Sequence, residues 1–264
     1  MDLQLKDKQA LVTGSTAGIG FAIATALAKE GAHVILSGRS QSRLDVACER
    51  LRKQVPGAVL GTIAADLGTA AGCSQVTREF PDLDILVNNV GIFDPRPFEE
   101  ISDDEWQHMT EVNVMSGVRL SRHYVQGMKA RNWGRIVFIS SESGINIPAE
   151  MVHYGMTKAA QLAVTRGIAE TTVGTAVTVN AVLPGPTRTE GVGEFFAKLA
   201  KEQGASLELA EKDFFAFARP SSLLKRFIDP AEVASLVAYI CSPLAAATNG
   251  AALRAEGGIV RSIA

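Results

Sequence analysis

Sulfur and aromatic rings are scarce in this chain. Of 264 residues only 6% are aromatic, with two tryptophans and three tyrosines, and there are three cysteines. Cys48, Cys73 and Cys241 lie far apart, are odd in number and lack metal-ligand spacing. They are expected as small core or surface residues in a reducing cytoplasm. The four histidines, His33, His108, His123 and His153, form no HxH or HxxxH pair, so no metal site is expected. No apolar run approaches the ~18 residues that signal a membrane span. The opening MDLQLKDKQALVTG lacks the long apolar run of a secretory signal. Charge of one sign is missing too. With 26 basic and 28 acidic residues the net charge is −2, which leaves no electrostatic footprint for nucleic acid.

Material for a core is ample, since 47% of residues are hydrophobic. Short β-rich runs alternate with longer Ala/Leu-rich ones. Strands are predicted at 9–14, 33–38, 59–66, 84–89, 135–141, 177–185 and 250–258. Most are continuously apolar, as in strands covered on both faces. Helices are predicted near 18–30, 41–54, 69–79, 103–131, 153–173 and 230–241, the last opened by Asp229 as cap and Pro230 at the first position. This alternation predicts an α/β architecture: a doubly wound Rossmann fold, with a seven-stranded parallel sheet and helices on both faces. No linker or repeat interrupts it, so residues 1–264 are expected to form one domain.

Between the first strand and first helix lies TGSTAGIG, residues 13–20. Gly14, Gly18 and Gly20 allow a tight turn and close approach of a ligand. The helix that follows offers free N–H groups and a dipole to a pyrophosphate. A purely structural turn would need fewer glycines. The second strand ends in Gly38 and Arg39, where many NAD-binding sheets carry an acid for the ribose hydroxyls. Loss of the acid and gain of a guanidinium favour NADP(H) over NAD(H), although an arginine at a strand end is also an ordinary surface residue. After the third strand, Asp66-Leu67 offers a carboxylate either to an adenine edge or as a helix cap.

Further along stands HYGMTKAAQ, residues 153–161. On a helix Tyr154 and Lys158 share one face, a turn apart. A phenol titrates near pH ~10 and a nearby fixed positive charge lowers that value, which suits a group that exchanges protons. Taken alone, the pair also fits an amphipathic helix with one aromatic and one solvated lysine.

Together, TGSTAGIG, NNVG at 88–91, Asn113, Ser141 and YGMTK at 154–158 resemble the short-chain dehydrogenase/reductase family. PGPTRT at 184–189 resembles that family's motif after the sixth strand, and the likeness runs to the closing LRAEGG at 253–258. It implies reversible hydride transfer between a nicotinamide cofactor and a secondary alcohol or ketone. Tyr154 is implied as acid/base, Lys158 as the group that lowers its pKa and binds the nicotinamide ribose, Ser141 as the hydrogen-bond donor to the carbonyl, and Asn113 as part of a proton relay. The implied cofactor site comprises Gly14, Ser15, Thr16, Gly18, Ile19, Gly20, Arg39, Asp66, Leu67, Asn89, Val90, Gly91, Tyr154, Lys158, Pro184, Gly185, Thr187 and Thr189. Four departures stand out. Val90 replaces the usual alanine and adds bulk beside the cofactor. The stretch from Asp66 to Asn88 is short, which implies a clipped third helix. Ala17 stands where many NADP-preferring members have a basic residue. Glu256 replaces the aspartate of the common DGG ending.

Residues 188–228 are expected to form the substrate lid. They hold Phe195, Phe196, Phe214, Phe215 and Phe217, in two stretches with amphipathic helix periodicity. These rings either line an apolar substrate pocket or only pack the lid. Relatives that reduce 3-oxoacyl groups on a carrier protein place basic residues where Asn132 and Thr175 stand here. Arg131 and Arg135 are nearby substitutes, so a carrier-linked reductase is a second reading. A cofactor-sensing protein without catalysis is a third. The resemblance also implies a dimer or tetramer through the long helices near 103–131 and 153–173.

Overall fold

Continuously apolar runs make strands that must be covered on both sides, and the chain supplies a helix after each of the first six. The computed structural model describes residues 1–203 and 205–263, apart from the side chains at 195, 199, 202 and 203. Its elements are β1 (Gln9–Val12), α1 (Gly18–Lys29), β2 (His33–Gly38), α2 (Gln41–Gln54), β3 (Leu60–Ala64), α3 (Ala70–Glu79), β4 (Ile85–Asn88), α4 (Asp103–Thr110), α5 (Ser116–Ala130), β5 (Gly134–Ile139), α6 (Val152–Glu170), β6 (Val177–Pro184), α7 (Glu190–Gln203), α8 (Leu207–Asp213), α9 (Pro230–Cys241) and β7 (Ala252–Ala255). Each predicted strand segment overlaps one of these strands, and only β5 begins a residue earlier than predicted.

All strand pairs are parallel, in the order β3-β2-β1-β4-β5-β6-β7. One face of the sheet is covered by α1, α2 and α9, through residues such as Phe21, Leu44, Leu51 and Val237. The other carries α3, α5 and α6, through Val76, Leu120, Tyr124 and Ala169. Strands β5 and β6 are buried along their whole length, whereas edge strand β7 alternates exposed and half-buried. Chain order reverses between β1 and β4. Their crossovers leave in opposite directions there, and a crevice opens at the carboxyl ends of the strands.

One helix departs from the simplest expectation, and another is short as predicted. The predicted helix over 103–131 is divided into α4 and α5 by a π-turn at Glu111–Met115. Such a turn adds a residue to the helical repeat and re-aims the side chains beyond it. Helix α3 has only ten residues, in keeping with the short stretch between Asp66 and Asn88. Its cap is Thr69, whose Oγ1 accepts from the Gly72 N–H at 3.0 Å. Asp66 is not that cap; its carboxylate accepts from the Gly68 N–H at 3.0 Å in the turn before the helix.

Helix α9 begins as the Asp-Pro dipeptide predicts. Asp229 accepts from the Ala231 N–H and Glu232 accepts from the Asp229 N–H, both at 2.8 Å. This capping box satisfies donors that the helix itself leaves unpaired. It also fixes the point where residues after the lid rejoin the body against α1. Replacing Asp229→Ala removes the acceptor and is expected to cost about 1 kcal/mol of stability. Urea unfolding should show a lower midpoint with an unchanged slope; an unchanged midpoint would mean the cap carries no net stabilisation.

Candidate active site

The crevice is built first from backbone. Gly14 and Gly18 adopt left-handed conformations, with φ of 62° and 56°, which L side chains rarely tolerate. A Cβ on Gly20 would lie 2.5 Å from both Asn89 Nδ2 and Gly14 O. The turn is tied to the next crossover by a clasp. Thr13 Oγ1 accepts from the N–H groups of Asn89 (2.8 Å) and Val90 (3.0 Å), while Asn89 Nδ2 donates to Thr13 O (2.9 Å) and Gly14 O (3.2 Å). Val90 turns its bulk against Gly14, where an added Cβ would meet it at 3.0 Å, so the clasp holds the loop in place despite the larger side chain. Helix α1 starts at this turn with no side-chain cap, because Ala17 has no acceptor to offer. The Glu190 carboxylate meets the Gly18 N–H at 2.9 Å, and a helix N-terminus behind a glycine cradle fits the pyrophosphate of a dinucleotide.

The predicted nucleotide residues divide into two groups. Ile19, Gly20, Asn89, Gly91, Tyr154, Lys158, Pro184, Gly185, Thr187 and Thr189 line one cleft of about 540 Å³. Gly14, Ser15, Thr16, Gly18, Arg39, Asp66, Leu67 and Val90 lie outside that wall. Ser15 is fully buried, and its hydroxyl donates to Val12 O (2.7 Å) and accepts from the Ser37 N–H (3.0 Å). Leu67 turns its side chain into the core. For both residues, only the backbone remains to meet a nucleotide. Arg39 is exposed at the end of β2. At Gly38 a Cβ would meet Thr16 Cγ2 at 2.8 Å, so a bulkier, acidic side chain there would crowd the turn.

Three elements bring the predicted reacting side chains together. Ser141 follows β5, Tyr154 and Lys158 lie on α6, and Asn113 sits in the π-turn. The amide of Asn113 is buried; its Oδ1 accepts from the Ile92 N–H (2.8 Å) and its Nδ2 donates to Ile92 O (2.9 Å) and Thr157 Oγ1 (3.0 Å). Its backbone carbonyl accepts from Gln161 Nε2 at 2.6 Å. Gln161 Oε1 in turn accepts from Lys158 Nζ (3.3 Å), which also donates to Ile139 O (2.9 Å). Ser141 Oγ accepts from the Ser143 N–H at 3.1 Å, which leaves its own O–H free to donate.

Electrostatics corrects one expectation. Lys158 was expected to lower the pKa of Tyr154, yet in this structure Tyr154 is pushed up to about 12. Burial is the main cause; the Ser141 hydroxyl and Arg219 pull it down, and Glu142 pushes it up. Burial brings Lys158 down to about 7, so at neutral pH it is not a fully charged partner. The ammonium lies over the Tyr154 ring, with Nζ 5.5 Å from its centroid, and two of its donors go to Ile139 and Gln161.

Residues from the segment predicted as a lid wall the cleft from the other side. Phe196, Phe214 and Phe227 line it, and with Phe215 they form a cluster of rings with centroids 5.0–5.5 Å apart. Phe215 is buried inside that cluster, and Phe217 is 80% exposed. The side chain of Phe195 lies outside the described residues. The rings therefore serve both purposes the sequence left open, with some walling the cleft and others packing the lid.

Several participants were not anticipated. Gln161 had a signal: with Lys158 and Thr165 it repeats at helical spacing as a buried polar stripe. Glu142 and Arg219 line the cleft as a buried ion pair, Nε to Oε1 2.9 Å, between segments with no sequence signal of pairing. Glu190, at the start of α7, accepts from the Gly18 N–H at 2.9 Å. The residues weighed for a carrier protein are spent elsewhere. Asn132 accepts from the Ala176 N–H and Arg131 pairs with Asp82 at 2.6 Å. Arg135 is 2% exposed and donates to Gly134 O, Ala176 O and Ser242 O.

Among known proteins, the short chain dehydrogenase family matches residues 8–200. The uncharacterized oxidoreductase YvaG of Bacillus subtilis is 48% identical over 263 residues, covering 100% of both chains. D-beta-hydroxybutyrate dehydrogenase of Cupriavidus necator is 33% identical, covering 97% of this chain and 99% of that one. The crystal structure of L-sorbose reductase from Gluconobacter frateurii, complexed with NADPH and L-sorbose, superposes with a TM-score of 0.93 at 32% identity, with both chains fully covered (100%).

A methyl group at position 20 tests the cradle. Gly20→Ala is expected to raise the Kd for NADPH about tenfold, the equivalent of about 1.4 kcal/mol, and to lower the melting temperature, because the added Cβ would press on the Gly14 carbonyl. An unchanged Kd would mean that the turn does not seat the nucleotide.

Proposed function

The chain belongs to the short-chain dehydrogenase family, and we propose that it interconverts a ketone and a secondary alcohol with NADP(H) preferred over NAD(H). It is an oxidoreductase that uses a nicotinamide cofactor. The proposal rests on the convergence of Ser141, Tyr154 and Lys158 on one cleft beside the glycine cradle. We take residues 1–264 to act as one catalytic domain, with 188–228 as its lid.

When bound, the nicotinamide supplies or accepts the hydride; the protein's residues hold the substrate and move the proton. Ser141, its acceptor lone pair occupied by the Ser143 N–H, donates its hydrogen to the substrate oxygen and stabilises charge developing there. Tyr154, held protonated at neutral pH, gives its proton to that oxygen in reduction and takes one back in oxidation. Lys158 in its charged form has three donors; two are committed to Ile139 and Gln161, which leaves one for the nicotinamide ribose. Asn113 orients this set through Thr157 and Gln161. The apolar flank of the substrate would lie against Phe196, Phe214 and Phe227. NADP(H) is favoured by the exposed guanidinium of Arg39 and the absence of an acid at Gly38; the similar L-sorbose reductase was crystallised with NADPH. A carrier-linked substrate is disfavoured, because Arg131 and Arg135 present no free cationic surface.

Two substitutions test the assignment. Tyr154→Phe is expected to keep NADPH binding and lose turnover by orders of magnitude, since the proton path is gone; near-normal kcat removes Tyr154 from the chemistry. Arg39→Ala is expected to weaken NADPH more than NADH in parallel titrations. Equal loss for both would show that Arg39 does not read the 2′-phosphate.

A further inference from the structure

One large ring beside the reacting phenol has no role in the reading so far. Phe93, in the loop after β4, lines the cleft and is 54% exposed. Its ring meets that of Tyr154 edge to face, with centroids 6.3 Å apart and planes at 70°. Phe196, Phe214 and Phe227, by contrast, are packed on one another. Ile92 and Pro95 line the cleft from the same loop as Phe93, and Met151 lines it from the loop before α6. The two loops are joined by a hydrogen bond from the Arg96 N–H to Glu150 O at 2.9 Å. The Arg96 guanidinium pairs with Asp94 (3.1 Å) and Glu105 (3.0 Å) and brings no charge to the cleft lining.

Charge narrows the choice of ligand. Among the described residues that line the cleft, the cations are Lys158 and Arg219. Lys158 gives two donors to Ile139 and Gln161, and its third is assigned above to the nicotinamide ribose. Arg219 stands between two carboxylates, Glu142 at 2.9 Å and Glu150 at 3.6 Å. A carboxylate or phosphate on the substrate would compete with both for one guanidinium, and would give up its water for a poor pairing. An apolar arm has the opposite balance. It takes its own surface and the exposed face of Phe93 out of water together. The 6.3 Å between the Phe93 and Tyr154 rings is about the span of one aryl group, so an arm on a carbonyl held by Tyr154 reaches Phe93.

We propose that Phe93 is a specificity-determining residue, and that the substrate class is an uncharged ketone bearing an aryl or cycloalkyl arm on the carbonyl carbon, seated against the Phe93 ring. This rests on the ketone–alcohol reading above and adds which ketone is taken. No bond of the arm changes in the reaction; the arm serves only in recognition. The two apolar walls then have different tasks. Phe93 stands next to the reacting phenol and reads the group attached to the carbonyl, while Phe196, Phe214 and Phe227 form a packed wall from the 188–228 segment. A 3-oxo acid fits neither wall, because its carboxylate finds no unmatched cation among the lining residues.

The test compares four methyl ketones with NADPH: acetophenone, cyclohexyl methyl ketone, acetone, and the anion acetoacetate. The first two carry an apolar arm, and kcat/KM is expected to favour them over the last two by roughly tenfold or more, the scale of discrimination an apolar pocket supplies. Phe93→Ala should cut the preference for acetophenone over acetone by about tenfold, mainly through KM, and Phe93→Leu should restore most of it. Dissociation constants in the NADPH complexes of Tyr154→Phe, with and without Phe93→Ala, should follow the same order, and this readout does not depend on turnover. An acetophenone-to-acetone ratio unmoved by Phe93→Ala would overturn the inference and leave Phe93 as a support for Tyr154. So would tighter binding of acetoacetate than of both armed ketones. Binding of the armed ketones that weakens with Phe93→Ala, in a parent enzyme that turns over none of them, would uphold the inference and overturn the catalytic assignment instead.

Discussion

Almost everything in the reacting centre hangs on the amide of Asn113. Its side chain holds the loop after β4 through Ile92 and grips α6 through Thr157. Its backbone carbonyl receives Gln161, and Gln161 receives Lys158. The π-turn makes this possible, because the extra residue brings the Asn113 side chain and carbonyl to bear on two different elements. An amide buried this deeply is stable only when its donors and acceptors are met. The loop, π-turn, α6 and end of β5 therefore have one low-energy arrangement, and it is the one that aims Lys158 into the cleft.

The same burial sets the proton states. Desolvation disfavours the charged form of each group, so it raises Tyr154 and lowers Lys158 at once. The tyrosine is kept as an acid and the lysine poised near neutrality. The clasp between Thr13 and Asn89 does comparable work for the nucleotide. It fastens the first crossover to the fourth strand where the two diverge, and so keeps the glycine turn open in front of α1.

Across the cleft the lid is held by a different mixture of forces. Its interior is a compact set of phenylalanine rings, mostly edge to face, an arrangement aromatic quadrupoles favour. Its link to the body is polar: Glu142 with Arg219, and Glu190 with the Gly18 N–H. Rings can shift against one another at small cost, whereas a buried ion pair is sensitive to geometry. This side of the cleft thus combines an adaptable apolar wall with one demanding polar contact.

Periodicity and local punctuation are properties of the sequence, and what depends on them was legible there. Seven apolar runs became seven parallel strands, Asp229-Pro230 opened α9, and the glycine turn fell where β1 meets α1. Tyr154 and Lys158 were marked by their helical spacing, and Ser141 by the resemblance to the family. Contacts between distant segments leave no such trace. Nothing near Glu142 announces Arg219, 77 residues away, and nothing near Asn113 announces Gln161, 48 residues away. Arg135 reads as a surface cation until the fold packs it among carbonyls, and Tyr154 reads as a lowered phenol until burial raises it. The sequence by itself determined the fold and the order of the reacting groups, because both follow from residue type and spacing. Their proton states, and the buried Glu142–Arg219 pair that lines the same cleft, were decided by the tertiary structure, because desolvation and charge pairing depend on which distant segments share the same space.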